Sequence, residues 1–253
     1  MKKFVCETCG SSNLLKQDGL YMCEYCRTKY TVEEVKKLFV EVAINHDEEV
    51  KELYTAASRE LETRNWEAAH ETFKHILSLC PNDWEAIFYS EITKTLRDGR
   101  ESFPHNVVPL CKAINEALHI IQKETDDNDQ DDNIATITKL VIDLSDIYFI
   151  DTKKTEKLLT FDSADTIQYR NLIYTSCMDL CYYYGDILHG YFGDRYKNTI
   201  VQAWKQGVTI QNNSNIKKCQ FGTASEYEAK IQKYEPNWSF EENGKKEVKK
   251  NDN

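Results

Sequence analysis

The spacing of apolar positions changes near residue 30. Before it, Asn13–Gln17 and Leu20-Tyr21-Met22 flank Asp18-Gly19, a strong two-residue turn signal, which predicts two short strands joined as a hairpin. After it the period becomes helical. Thr31-Val32-Glu33-Glu34 has the form of a capping box, and Val35, Leu38, Phe39 and Val42 follow at helical spacing. Asn45-His46-Asp47-Glu48 supplies a second start signal, so a bend or break is expected there before a helix carrying Leu53, Ala56, Ala57 and Leu61 and ending at Asn65. Trp66 to Leu79 then places Ala69, Phe73, Ile76 and Leu77 on one face and stops before Pro81.

Helical patterns recur over Val107–Ile121, Ile134–Tyr148, Ile167–Leu188 and Tyr196–Ile210, with a weaker one over Glu226–Tyr234. The fold class expected is a small β ribbon followed by a larger all-α domain. Short polar turns between helices favour antiparallel helical hairpins stacked as a repeat-like array, with a compact helical bundle as the alternative. The divisions expected are residues 1–31 for the ribbon, 32–45 for a connecting helix, 46–240 for the all-α domain, and 241–253 for a charged, disordered, solvated tail.

Composition narrows the function classes. The chain has 253 residues, a formal net charge of −10 and a pI of about 5.2, which argues against coating nucleic acid or anionic membrane over its whole surface. Residues 1–40 are the exception, with seven Lys or Arg against five acids. No apolar run has the length of a secretory signal or a membrane span, so no membrane contact is expected and the chain is read as cytoplasmic. There thiols stay reduced, and paired cysteines point to metal rather than to disulfides.

Four cysteines supply such pairs. Cys6 and Cys9, then Cys23 and Cys26, form two C-x2-C pairs separated by thirteen residues, a spacing that lets each pair grip one tetrahedral ion across a short hairpin. Zn2+ is favoured and iron is the minor alternative; four thiolates leave no open position for water, so the ion is expected to be structural. Gly10 suits the positive φ that closes a thiolate-binding turn, whereas Arg27 stands at the matching place after Cys26 and is expected to distort that turn slightly. Cys6-Glu7-Thr8-Cys9-Gly10 and Cys23-Glu24-Tyr25-Cys26 together resemble a zinc ribbon of the transcription factor IIB type, over about an eighth of the chain.

A second resemblance covers residues 50–90. Ala69, Phe73, Ile76 and Pro81 fall at the spacing of the second helix of a tetratricopeptide repeat. Asn65-Trp66-Glu67-Ala68-Ala69 is similar to its inter-helix turn, and Trp84-Glu85-Ala86-Ile87-Phe88 to the opening of a next unit. Glu60 departs from the pattern, standing where a tyrosine is common, and the register is lost further on.

Other candidates have plainer readings. Asp127, Asp129 and Asp131 imitate a calcium loop, but Asp132 and Thr138 occupy the places of the required glycine and glutamate, so Glu124–Asn133 reads as a solvated inter-helix loop. Cys80, Cys111, Cys177, Cys181 and Cys219 read as small buried hydrophobes, the pair at 177 and 181 among Leu172, Ile173, Leu180 and Tyr184. The six histidines, at 46, 70, 75, 105, 119 and 189, show no ligand spacing. Tyr182, Tyr183, Tyr184, Tyr191, Phe192, Tyr196 and Trp204 concentrate aromatic area that is ordinarily core, but within a helical array Tyr182, Tyr183, Tyr191, Phe192 and Trp204 are candidate anchors for a partner.

The function expected is that of a non-enzymatic, zinc-containing interaction or adaptor protein, with a protein partner on the helical domain and homo-oligomerisation open. The alternative is a nucleic-acid-binding or transcription-related regulator acting through Lys16, Tyr21, Tyr25, Arg27 and Lys29 on the ribbon. Phosphate-binding glycine loops, dinucleotide fingerprints and nucleophile elbows are absent, so no enzyme activity is expected. Cys23→Ser should unfold residues 4–30 and leave the remainder folded, read by limited proteolysis with mass spectrometry; one common melting transition on chelation would refute the two-part division.

Overall fold

The computed structural model describes residues 6–9, 14–17, 20–158 and 163–240. Gly10, the Asp18-Gly19 turn and the 241–253 tail lie outside them. Three antiparallel strands, β1 (Leu14–Gln17), β2 (Leu20–Cys23) and β3 (Lys29–Tyr30), lie in the order β1-β2-β3. Their register sets Lys16, Tyr21 and Tyr30 in one cross-strand row and Leu15, Met22 and Lys29 in the next. Side chains alternate along a strand, so these two rows face opposite sides of the sheet.

The rest is helical. Helix α1 (Val32–Glu62) opens on the expected capping box: the Glu34 amide donates to the Thr31 hydroxyl oxygen at 3.2 Å, and the Thr31 amide donates to the Glu34 carboxylate at 2.7 Å. It runs unbroken through Asn45–Glu48, contrary to the expected bend, because a capping residue stops a helix only where the backbone has already left it. Thr63 and Arg64 end it, Arg64 at φ 56°, and the Asn65 side chain caps α2 (Trp66–Leu79). Ala69, Phe73 and Ile76 are buried as expected, against Ala57 of α1 and Ala86 of α3 (Trp84–Glu124).

Helix α3 is two arms rather than one rod. Gly99 has φ 74° and ψ −175°, outside helical space. Ile87 and Glu116 would stand about 44 Å apart on a straight helix, yet they line the same groove, so the chain folds back between 84–98 and 100–124. Only glycine takes that backbone conformation without steric cost.

Helix α4 (Asp127–Leu158) returns antiparallel to the second arm of α3: Asp151 pairs with Arg100 at 3.0 Å, while Gln130 near the other end donates to the Ile121 carbonyl at 3.3 Å. Most of the expected acidic loop is the first turns of this helix. Asp126 accepts from the amides of Asn128 and Asp129, and Arg195 pairs with Asp127 at 2.5 Å and Asp131 at 3.0 Å. Acidic side chains suit a helix N-terminus, where the backbone dipole is positive.

Helix α5 (Ala164–Phe192) runs parallel to the second arm of α3, with Tyr169 bonded to the Glu101 carbonyl and Tyr191 to Asn115 at 2.9 Å. A 3-10 turn over Gly193–Tyr196 leads into α6 (Lys197–Ser214), antiparallel to α5, and α7 (Ala224–Gln232) closes the stack. Successive helices thus pair as antiparallel hairpins. One continuous core joins α3, α4, α5, α6 and α7, while a smaller one joins α1, α2 and the start of α3; Tyr89 packs against both.

Two glycines permit the closest approach, between α5 and α6. A Cβ on Gly207 would strike the Tyr182 ring, and one on Gly185 would strike the Trp204 indole. Gly207→Ala should therefore destabilise the helical domain by about 1–3 kcal/mol. Gly190→Ala, on α5 and with open space around it, should stabilise by up to about 1 kcal/mol. Thermal denaturation of both variants checks the contrast.

Candidate metal centre

The β1-β2 hairpin carries the second cysteine pair back over the first. All four sulfurs lie within 4.8 Å of one another. Cys6 Sγ is 3.5 Å from Cys26 Sγ, and Cys9 Sγ is 3.6 Å from Cys23 Sγ. These separations are far longer than a disulfide bond of about 2.05 Å. They are close to the edge, about 3.8 Å, of a tetrahedron whose metal–sulfur bonds are about 2.3 Å. The four cysteines are positioned for metal binding.

Local backbone explains how each pair is held. The amides of Thr8 and Cys9 donate to the Cys6 sulfur, and the Thr28 amide donates to that of Cys26. In the second turn Arg27 N–H donates to the Cys23 carbonyl at 3.0 Å, and Cys23 N–H donates to the Thr28 carbonyl at 2.9 Å. Arg27 takes φ 62°, so the second turn forces the left-handed conformation, which glycine adopts freely, on a residue that bears a Cβ.

Two hydroxyls complete the surroundings. The Tyr30 oxygen lies 3.0 Å from Cys6 Sγ, and the Thr28 oxygen 3.1 Å from Cys26 Sγ. The Tyr30 hydrogen bond, helped by the backbone amides, lowers the Cys6 thiol to about 6, and the Thr28 hydroxyl lowers that of Cys26. Both shifts favour the thiolates a metal needs. Cys6 and Cys23 are buried, Cys26 is half-buried and Cys9 faces solvent. Neither hydroxyl was singled out in the sequence; the signal available was an aromatic residue directly before a helix cap.

The candidate nucleic-acid residues are divided between surfaces. Tyr25 is 83 % exposed on the second turn, and Arg27 and Lys29 are exposed. Tyr21 instead packs against the sulfur cluster, with the Lys16 ammonium 5.7 Å from its ring centre, and both belong to the row opposite Lys29. The five do not form one basic, aromatic face.

The candidate aromatic anchors need a larger correction. Tyr182 and Trp204 are core residues: Tyr182 stacks on Tyr227 at 3.6 Å between ring centres and donates to Gln211 at 2.8 Å, and Trp204 Nε1 donates to Asp186 at 3.0 Å. Their polar tips, which could have marked a binding surface, are satisfied internally. Tyr183, Tyr191 and Phe192 are half-buried. Cys177 and Cys181 are fully buried, as expected, and burial pushes both thiols up, Cys181 to about 12.

What sequence periodicity missed is a groove of about 480 Å³ between α2 and the two arms of α3. Leu77, Pro81, Ile87, Pro109 and Ala113 give it an apolar lining, with Glu91, Lys112 and Glu116 at its polar positions. Val108, beside Pro109, is 53 % exposed. The residues on the two arms of α3 meet only because of the reversal at Gly99, which no helical periodicity announces. Among the described residues no helix is long and apolar enough to cross a membrane.

Comparison with family models, with curated proteins and with solved structures finds no match to this chain.

The strained turn yields a direct test. Arg27→Gly should remove about 1 kcal/mol of left-handed strain and slow metal loss to a chelator, followed with a chromophoric competitor. A variant that lost metal faster would show that the Arg27 side chain contributes more than its backbone costs.

Proposed function

We propose that the four-sulfur centre holds one structural Zn2+, with iron as the alternative occupant, and that the chain is a non-enzymatic adaptor whose helical array binds another protein. Tetrahedral sulfur spacing and the ring of amide and hydroxyl donors support the metal reading. Cys6, Cys9, Cys23 and Cys26 would supply all four ligands and leave no position for a reacting water. The ribbon around them is then of the zinc-ribbon kind, and the stacked hairpins are of the tetratricopeptide kind.

The observation that carries the adaptor reading is the apolar groove between consecutive hairpins. Half-buried Leu77 and Pro109, with exposed Pro81, offer hydrophobic area that a peptide or helix of a partner would cover. A second reading, nucleic-acid contact through Tyr25, Arg27 and Lys29, draws support from their exposure alone.

Affinity capture with the metal-loaded chain should retain a protein, and Leu77→Glu with Lys112→Glu should lose it while circular dichroism stays unchanged. Retention of nucleic acid instead, released between low and moderate salt, would overturn the adaptor reading in favour of the second.

A further inference from the structure

Tyr30 belongs to two structures at once. Its hydroxyl oxygen lies 3.0 Å from Cys6 Sγ, within hydrogen-bond distance, and its ring is buried in a cluster with Cys6, Cys23 and Val35, the last on the first turn of α1. Thr31, the very next residue, is the N-cap of that helix, with the Glu34 carboxylate accepting from both the Thr31 amide, at 2.7 Å, and the Thr31 hydroxyl, at 2.9 Å. One peptide unit therefore separates a sulfur-bonded side chain from the residue that starts a helix of 31 residues.

The cluster holding this junction is small. Its buried members among the described residues are Cys6, Cys23, Tyr30 and Val35, with Tyr21 and Cys26 packed beside them. Half of the buried members are sulfur ligands, so apolar burial by itself supplies little to fix the ring of Tyr30. Starting a helix is the costly step, because several residues must be fixed before the first hydrogen bond forms. Whatever holds Tyr30 and Thr31 in place lowers that cost.

We infer that Tyr30 couples metal occupancy to the start of α1, so that the ribbon's ion also organises the helix that follows it. This rests on the metal reading above. With the ion bound, Cys6 is a fixed thiolate that accepts the Tyr30 hydrogen bond, and Val35 closes over the ring. Without it the sulfurs separate, Tyr30 loses both acceptor and packing, and the first turns of α1 fray. The metal-dependent segment then extends past residue 30 into the helix. Tyr30 is a positioning residue here, as are Thr31 and Val35, which bond to no sulfur in this geometry.

Coupling of this kind is reciprocal: if the ion stabilises the helix start, weakening the helix start must weaken the ion by the same factor. The experiment is competition of the full-length chain against a chromophoric chelator, with Zn2+ and with Co2+, whose visible spectrum reports tetrahedral sulfur ligation. Tyr30→Phe should lower metal affinity about tenfold or more. Thr31→Ala should lower it about fivefold, the equivalent of about 1 kcal/mol for a lost cap, and Val35→Ala should lower it in the same direction.

The control is Thr223→Ala, which removes the same kind of capping box from α7, where the Glu226 amide donates to the Thr223 hydroxyl at 3.3 Å. It should leave metal affinity unchanged. Hydrogen exchange should show the amides of residues 34–38 losing protection on chelation in the unmodified chain. If metal binds but Thr31→Ala and Val35→Ala leave its affinity untouched, the coupling is wrong and the metal reading stands. If neither Zn2+ nor Co2+ binds, the metal reading fails and the coupling with it.

Discussion

Helix α5 has no solvent-facing side at its middle. Ser176, Cys177, Met178, Asp179, Leu180, Cys181 and Tyr182 are consecutive and all buried, and seven residues cover every direction around a helix. Such a segment is stable only if other elements surround it and satisfy its polar groups. The second arm of α3, α4, α6 and α7 do so. Asp179 accepts from the Gln220 amide at 3.0 Å, the Tyr184 hydroxyl meets that of Thr138 at 2.6 Å, and Tyr182 bonds Gln211. Asp186 ties Trp204 of α6 to Tyr227 and Lys230 of α7. Each bond fixes one neighbour's position along α5, because an unmet polar group in that interior is costly.

This constraint explains which parts of the fold were legible. Helix α2 was read to its ends, because its boundary signals, Asn65 and Pro81, act locally. In α5 the buried reading held for Ile173, Cys177, Leu180, Cys181 and Tyr184, but burial all round the helix was not legible, because a helix covered on all sides has no polar face to contrast with an apolar one. Leu172, placed by pattern among the buried residues, is 45 % exposed, and Tyr182, weighed as a surface anchor, is fully buried. The acidic run before Ile134 misled for a related reason. Its charges are compatible with helix because they sit at the N-terminus and meet Arg195, more than sixty residues away in the sequence.

The ribbon shows the opposite balance. Its sheet has strands of four, four and two residues, too few for an independent core. Where a core would be, four cysteine sulfurs lie within 4.8 Å of one another, a cluster announced directly by their spacing, which is why this small segment was the most legible of all. The surrounding donors were not legible, because Thr28 and Tyr30 reach sulfur only after the chain has turned at Arg27 and formed β3. Spacing identified the ligands; their orientation depends on the fold.

The same distinction bears on where a partner would dock. Tyrosine and tryptophan bind well at interfaces when an apolar ring and an unused polar tip are presented together. In this body Tyr148, Tyr182, Tyr184, Tyr227 and Trp204 spend their polar tips on internal bonds, so aromatic density along the sequence reports internal cross-bracing. The groove between α2 and α3 is lined instead by aliphatic side chains and prolines, which have no tips to satisfy. Its polar positions, Glu91, Lys112 and Glu116, carry both signs, so a partner there would be held mainly by apolar contact, with charge setting its orientation. The acidic balance of the whole chain would then influence how fast partners arrive more than how tightly they stay.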